Sequence, residues 1–106
     1  MTQEQFETVV EKQMKICSAT LKKKKKEYTG DSIDRLSAFK AAAALQGCSQ
    51  EQALAGMMAK HIVSIYDMCS AKEETFDVPV WEEKITDSLN YLFLLRAIVE
   101  EEHANG

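Results

Sequence analysis

Residues that break a helix are scarce in this chain. Its 106 residues contain four glycines and one proline, the two residue types least compatible with a helix interior. Between these breaks the apolar residues recur at steps of three and four, the spacing of one helix face, and no segment alternates as a half-buried strand does. The pattern predicts an all-α fold, a single-domain four-helix bundle.

The breaks and the apolar spacing also place the predicted helices. We expect them over residues of about 2–27, 32–46, 50–70 and 80–103. Gly47 is a natural stop for the second helix. The segment Ser49–Gln52 has the capping-box pattern that opens a helix, and Pro79 suits the first turn of the last one.

The fourth predicted helix has apolar residues on two opposite sides. Ile85 and Leu92 lie on one side, with Trp81 and Leu89. Glu83, Asp87 and Asn90 lie on the other, and this side also carries apolar residues, namely Tyr91, Leu94 and Ile98. A helix that is apolar on both sides is usually buried on both. The acids therefore either face another helix or a second subunit, or form a solvated polar stripe in which Asn90 bonds a neighbour.

Several carboxylates have a spacing that suits a divalent cation. Glu83, Asp87 and Asn90 stand at i, i+4 and i+7, so their oxygens project from one helix face toward one point. Asp31 and Asp34, at the start of the second helix, are a second pair of candidate metal ligands. The alternative for Asp31 is a helix N-cap, and Asp34 in the first turn would complement the helix dipole.

Basic residues give candidate contacts for phosphate. Lys25 and Lys26 belong to a run of five lysines that covers more than one helical turn, which is either an anion site or a solvated helix end. Lys60 is a phosphate-binding cation or a surface charge. Its neighbour His61 lies beside an apolar stripe, where it is a hydrogen-bonded core residue or a general base.

Composition limits the possible partners. Seventeen acidic against thirteen basic residues give a net charge of −4, which argues against binding extended nucleic acid. The chain has no run of eighteen apolar residues, and Glu4, Glu7 and Glu11 interrupt its first twenty residues. A membrane partner and a secretory signal are therefore not expected. The three cysteines form no CxxC pair, which is typical of structural thiols in the reducing cytoplasm.

Four phrases of the sequence resemble those of small helical phage and prophage proteins. They are the lysine run before Tyr28-x-Gly30-Asp31, the segment Asp34-Arg35-Leu36-x-x-Phe39-Lys40, the segment Met57-Met58-x-Lys60-His61, and the segment Trp81-x-Glu83-Lys84-Ile85-x-Asp87-x-x-Asn90-Tyr91-Leu92. These proteins are in turn distantly similar to the nucleotide-modification-associated and MazG-like all-α proteins. The MazG pattern of a Glu-Glu-x-x-Glu helix followed by a Glu-x-x-Asp helix is incomplete here. Glu83, Asp87 and Asn90 match the Asp-x-x-Asn-Tyr pattern of the more distant relatives, and the family's functional positions are assigned to these three residues alone.

The resemblance implies a function and an assembly. It implies a homo-oligomeric accessory protein of the phage type that handles nucleotides, as a magnesium-dependent nucleoside triphosphate pyrophosphohydrolase. In that role Asp31, Asp34, Glu83 and Asp87 hold the metal, and the lysines neutralise a nucleotide or other phosphate-bearing small molecule. The alternative is a helical binding module without turnover, which sequesters a nucleotide or docks on a host protein.

Overall fold

The computed structural model describes residues 1–25, 33–72 and 75–104. Over these ranges the chain forms helices and no strand, which confirms the predicted all-α class. The four helices are α1 (Gln3–Lys23), α2 (Ser37–Gln46), α3 (Gln50–Ser70) and α4 (Val78–Ala104). Helix α4 packs against both α1 and α3, while α2 packs against α3. Helix α4 is therefore the helix that α1 and α3 both contact.

The core lies where α2, α3 and α4 meet. Phe39 from α2, Leu54 from α3 and Ile98 from α4 are completely buried. Leu36, Tyr91 and Leu94 complete the same cluster. Each such side chain contributes about 1.5–3 kcal/mol by leaving water, so this cluster fixes α3 against α4.

Helix α2 begins later than the sequence predicted. The prediction started it at residue 32, with Asp34 inside the first turn, but the helix begins at Ser37. The Oδ1 atom of Asp34 accepts a hydrogen bond from the Leu36 amide at 2.9 Å. An aspartate that binds the backbone two residues on stabilises a turn in place of the helix. The expected stop is confirmed, since Gly47 ends α2 in the left-handed conformation with φ of 65°.

The starts of α1 and α3 share one capping arrangement. The Ser49 hydroxyl accepts from the Gln52 amide, and the Gln52 side chain accepts in return from the Ser49 amide, which confirms the predicted capping box. Thr2 and Gln5 form the same box at the start of α1. That helix was predicted to continue to residue 27. It ends at Lys23, with Lys24 as its C-cap, and residues 26 and 27 lie outside the described ranges.

The buried side of α4 is the one that carries the polar residues. Asn90, Tyr91, Leu94 and Ile98 are buried, together with Thr86 and Ser88. The two alternatives thus apply to different residues, because Asn90 is buried and Asp87 half-buried, whereas Glu83 is exposed. On the opposite side Ile85 and Leu92 are 37% and 47% exposed, so the described part of the chain covers that side only in part.

Within the ranges described, no helix combines the length and the apolar character needed to cross a bilayer.

Candidate functional site

Three helices bring polar side chains together beside the core. Lys24 comes from the end of α1, His61 from the middle of α3, and Asp87 and Asn90 from α4. All four line one small cavity of about 30 Å³. Thr20, Leu21, Tyr91 and Leu94 complete its lining. The α1–α4 and α3–α4 contacts meet at this cavity, so each of the three helices positions part of the site.

Asp87 is the anionic centre of this group. Its Oδ1 atom lies 3.4 Å from the Nζ atom of Lys24, and its Oδ2 atom lies 3.9 Å from the Nδ1 atom of His61. The Asp87 side chain is 18% exposed. A carboxylate that is partly withdrawn from water needs such a cationic neighbour, and Lys24 supplies it. Asp87 therefore links α1 to α4 while keeping one edge open to the cavity.

His61 lies between Asp87 and an aromatic ring. Its ring centroid is 5.2 Å from that of Tyr91, and its side chain is 18% exposed. Burial lowers the pKa of His61 below its ordinary value of 6.5. Asp87 opposes that shift, whereas Lys60, Lys84 and Lys24 add to it. The imidazole is therefore neutral at pH 7 and can accept a proton.

Asn90 carries a polar atom that the described residues leave without a partner. The side chain is 7% exposed, and its Oδ1 atom has no hydrogen bond to any residue in the ranges described. Leaving such an atom buried and unpaired costs about 1–3 kcal/mol. Most buried polar groups do have partners, and because Asn90 lines the cavity, a ligand bound there could supply one.

An open groove adjoins the cavity. It has a volume of about 290 Å³ and shares Thr20, Lys24 and Asp87 with the cavity. Glu83, predicted as a metal ligand, lines this groove, as does Glu82. Glu83 is exposed, whereas Asp87 is half-buried. The groove and the cavity are thus adjacent, and Asp87 lines both.

The predicted phosphate-binding lysines lie at different distances from the site. Lys24 reaches Asp87, whereas Lys25, which the sequence analysis favoured, is exposed, and no contact of its side chain with the cavity or the groove is seen. Helix geometry explains the difference, because Lys24 follows Cys17 by seven residues and Gln13 by eleven, on the side of α1 that faces α4. Lys60 is exposed but close enough to act on His61. Lys26 lies outside the described residues.

Asp34 belongs to a different cluster. Its Oδ2 atom lies 2.5 Å from Lys40 Nζ, and the same Nζ atom lies 2.7 Å from Glu101 Oε1. Glu101 follows Asp87 by fourteen residues on α4, a rise of about 21 Å. Asp34 and Asp87 are therefore too far apart to share one metal ion. Asp31, the other predicted ligand near the start of α2, lies outside the described residues.

The part of the chain that the structure describes contains no group of three or more His, Cys, Asp or Glu side chains able to hold a metal ion. Glu83 and Asp87 are the two predicted carboxylates that line one groove. Magnesium is often held by one or two carboxylates while substrate phosphates and waters complete its shell. The residues present thus fit a cation that arrives with a phosphate ligand, and do not fit one held by protein alone.

Comparison with known proteins adds no relative. No protein-family model, curated protein or solved structure matches this chain.

Five residues that line the cavity were not among the predicted site residues, namely Thr20, Leu21, Lys24, Tyr91 and Leu94. Tyr91 was seen as an apolar residue on the polar side of α4, and Thr20 carried no motif. For Lys24 a usable indication existed, namely its place on the Gln13–Cys17 side of α1. What no pattern gives is the crossing of α3 over α4, which brings His61 to Asp87.

Proposed function

We propose that this protein binds a nucleotide, or a similar phosphate-bearing small molecule, in the site that includes Lys24, His61, Asp87 and Asn90. One observation carries the proposal. Three helices converge on a cavity in which the buried Asn90 oxygen has no partner among the described residues. A buried acceptor, a neutral imidazole and an ammonium group in one place are typical of a ligand site.

Positive charge around the cavity favours an anionic ligand. Lys24 lines it, and Lys60 and Lys84 are near enough to lower the pKa of His61. Lys24 also pairs with Asp87 at 3.4 Å. Although the chain is acidic overall and Glu82 and Glu83 line the adjoining groove, the three lysines near His61 suit phosphate groups.

Magnesium has a place in the proposal as a companion of the ligand. Glu83 and Asp87 would hold it in the groove, with the phosphates and water completing its coordination. Bound there, the cation would neutralise phosphate charge and polarise a phosphoryl oxygen. Lys24 would bind the same phosphates from the α1 side.

Hydrolysis to a monophosphate and pyrophosphate is the catalytic form of the proposal. The cavity of about 30 Å³ has room for one water molecule, which Asn90 would orient by accepting one of its hydrogens. His61 would take the other proton as the water oxygen bonds to the α-phosphorus and the bond to the pyrophosphate oxygen breaks. Pyrophosphate leaves with that electron pair.

Binding without turnover is the second candidate, and the shape of the site favours it. The groove of about 290 Å³ is open and smaller than most ligand pockets, which have volumes of about 300–1,000 Å³. Catalysis depends on groups that are preorganised around the reacting atoms, and an open groove surrounds its ligand less completely. In this form the protein sequesters a nucleotide or presents it to a host protein.

The proposal includes the setting that the sequence resemblance implies. An accessory protein of the phage type would meet its nucleotide in the cytoplasm, where free thiols such as Cys17, Cys48 and Cys69 persist. Phage origin and the MazG likeness stay predictions, because the comparisons bear on neither.

Calorimetric titration with a panel of ribo- and deoxynucleoside triphosphates, with and without magnesium, tests the proposal. We expect at least one to bind wild type, and Lys24→Met or Asn90→Leu to weaken it at least about tenfold, the effect of losing one charged or buried contact. Lys15→Met, an exposed lysine on the far side of α1, is the matched control. If no nucleotide binds, or if the control loses as much affinity as Lys24→Met, the site is not a nucleotide site.

Chromatography of the products separates the two forms of the proposal. Wild type incubated with the bound nucleotide and magnesium would release pyrophosphate, and His61→Gln and Asp87→Asn would not. Nucleotide that binds but is recovered intact supports the binding module and excludes the hydrolase for that panel. A circular dichroism spectrum and melting curve for each variant show whether it is folded.

A further inference from the structure

We infer that a second copy of this chain packs against the apolar face formed by α1 and α4. The face, called the α1–α4 face below, consists of Phe6, Val10, Met14, Ile85, Leu89 and Phe93. All but Phe6 line an open groove between the two helices, with a volume of about 380 Å³. Phe6 is 53%, Met14 59% and Phe93 49% exposed. Clustered exposed side chains of this size mark interaction surfaces.

The first two turns of α1, called the overhang below, have little contact with the rest of the described chain. All residues of the helix up to Lys12 are exposed and Cys17 is its single buried residue, while Lys12 pairs with Glu82 of α4 at 3.8 Å. Phe6 precedes Gln13 by seven residues and Cys17 by eleven, so it lies on the same side of the helix. Gln13 and Cys17 line the groove against α4, whereas Phe6 does not and is 53% exposed. An unsupported helix end of two turns is marginal in water, so it needs a partner surface.

The surface of the chain is large for its mass. A folded monomer of 11.9 kDa is expected to expose about 5,900 Å², whereas this chain exposes 7837 Å². Its radius of gyration is 16.0 Å, against about 13 Å for a compact domain of this length. A standard interface buries about 800 Å² on each partner. The excess of about 1,900 Å² is therefore enough to supply one such interface.

The charges of α1 favour its own second copy as the occupant. Residues 3–11 carry Glu4, Glu7 and Glu11 and no basic residue, whereas residues 12–25 carry six lysines and no acidic residue. Two copies of α1 that run antiparallel place the acidic half of one against the basic half of the other. The symmetry of a two-fold dimer produces this arrangement, since each copy offers the same patch.

Sedimentation velocity on the full-length chain tests this inference. Wild type at about 100 μM chain should sediment at twice the mass of one chain. Phe6→Glu should raise the dimer dissociation constant at least about tenfold. Because Phe6 lies in the overhang, this substitution removes no core contact and the helical content should not change. Leu45→Glu, on α2 and 89% exposed, is the matched control and should stay dimeric.

Two further measurements make the result decisive. Met14→Glu, inside the groove, should dissociate the dimer as Phe6→Glu does. Reversing the acidic half (Glu4→Lys, Glu7→Lys, Glu11→Lys) should weaken self-association. Mixing that variant with one whose exposed Lys22 and Lys25 are glutamate should restore the dimer mass. Wild type that sediments as a single chain overturns the inference. So does a dimer that survives both glutamate substitutions on the α1–α4 face. The sedimenting mass is measured on the chain alone, so failure of this inference can be told apart from failure of the proposed nucleotide site.

Discussion

The Gln13 side chain on α1 donates its Nε2 hydrogen to the Thr86 hydroxyl on α4 across 2.8 Å, where Thr86 is only 3% exposed. The same amide nitrogen lies 3.3 Å from the Cys17 sulfur. Two polar side chains buried between helices can form their hydrogen bond in only one register of the helices, and in any other register both would lack a partner. Gln13 and Thr86 therefore fix the position of α1 along α4, and with it the position of Lys24 beside Asp87.

Replacing Thr86 with valine should destabilise the protein by about 1–2 kcal/mol. The side chain keeps its shape, but the Gln13 amide loses its oxygen acceptor in a place that water reaches poorly. Urea denaturation followed by circular dichroism measures the loss. The double variant Gln13→Leu/Thr86→Val, which removes both partners, should lose less than the sum of the two single variants. Additive losses would show that the pair does not interact.

His61 should make the stability depend on pH on the acid side of neutrality. Burial, the first cause, lowers its pKa in the folded chain from the ordinary 6.5, so the unfolded chain binds the proton more readily. The stability contributed by His61 is fully present above pH 6.5 and is lost as the pH falls through the lower pKa of the folded state. The free energy of unfolding, measured from pH 7.5 to 5, should fall less in His61→Gln than in wild type.

His103 provides the control for that titration. It is exposed at the end of α4, where its Nδ1 atom lies 2.8 Å from the carbonyl oxygen of Val99. His103→Gln should leave the acid-side slope of wild type intact. If it flattens the slope as much as His61→Gln does, the loss of stability cannot be assigned to the cavity.

Glu102 should destabilise the folded chain at neutral pH. A hydrogen bond with Glu51 is the largest cause that raises the pKa of Glu102 above its ordinary 4.5, and burial adds to it. A raised pKa means that the stability from this carboxyl is present below pH 4.5 and is lost as the pH rises through the pKa of the folded state. Glu102→Gln, which is uncharged, should therefore raise the melting temperature at pH 7.

The effect of Glu102→Gln should depend on pH in one direction. The difference in melting temperature between this variant and wild type should shrink as the pH is lowered toward 4, because the wild-type carboxyl then takes up its proton. Asp67→Asn, at an exposed position on α3, should give no such gain at pH 7. An equal gain from that variant would point to the overall negative charge of the chain instead of the Glu51 contact.

Asp34 should show two separable contributions at the start of α2. Its side chain accepts from the Leu36 amide and binds Lys40, and the Lys40 hydrogen bond is the first cause that lowers its pKa. Asp34→Asn keeps an acceptor for the amide but loses the charge, so it should destabilise the chain less than Asp34→Ala. Melting temperatures at pH 7 would show the order. Equal losses would mean that the charge contributes everything and the turn nothing.

For Asp34 the acid titration gives a further check. Because its pKa is lowered from 3.8, its stability is present above that value and is lost as the pH falls through the lower pKa of the folded state. Asp34→Asn should therefore approach wild type in melting temperature only at the acid end of the range. A difference between them that is constant down to pH 3 would contradict the ion pair.

The sequence predicts most of the local structure because local structure depends on near neighbours. The Ser49–Gln52 capping box, the stop at Gly47 and the helical class are all confirmed. The predicted start of α2 was wrong because the turn at Asp34 is also a local arrangement and competes with the first turn of the helix. The apolar spacing indicated the helix and did not indicate this turn. Propensity alone does not decide between two local arrangements of similar energy.

The site is less predictable because it depends on how helices cross. His61, Asp87 and Asn90 were all predicted, and they lie together around one cavity. Asp34 was expected in the same metal set, yet it pairs with Lys40 beside Glu101 at the other end of α4. Spacing along one helix gives the relation of Glu83 to Asp87, but the relation of Asp34 to Asp87 depends on the packing of α2 and α3.

The overhang of α1 also sets where the molecule opens first. Backbone amides exchange their hydrogens with solvent through local openings, and these are easiest where few side chains hold a helix down. In an isolated chain the first two turns of α1 would lose amide hydrogens long before the turns around Cys17. If two chains associate through Phe6, these amides would exchange mainly in the unpaired chains. Their exchange rate would therefore measure the fraction of the protein that is dimeric.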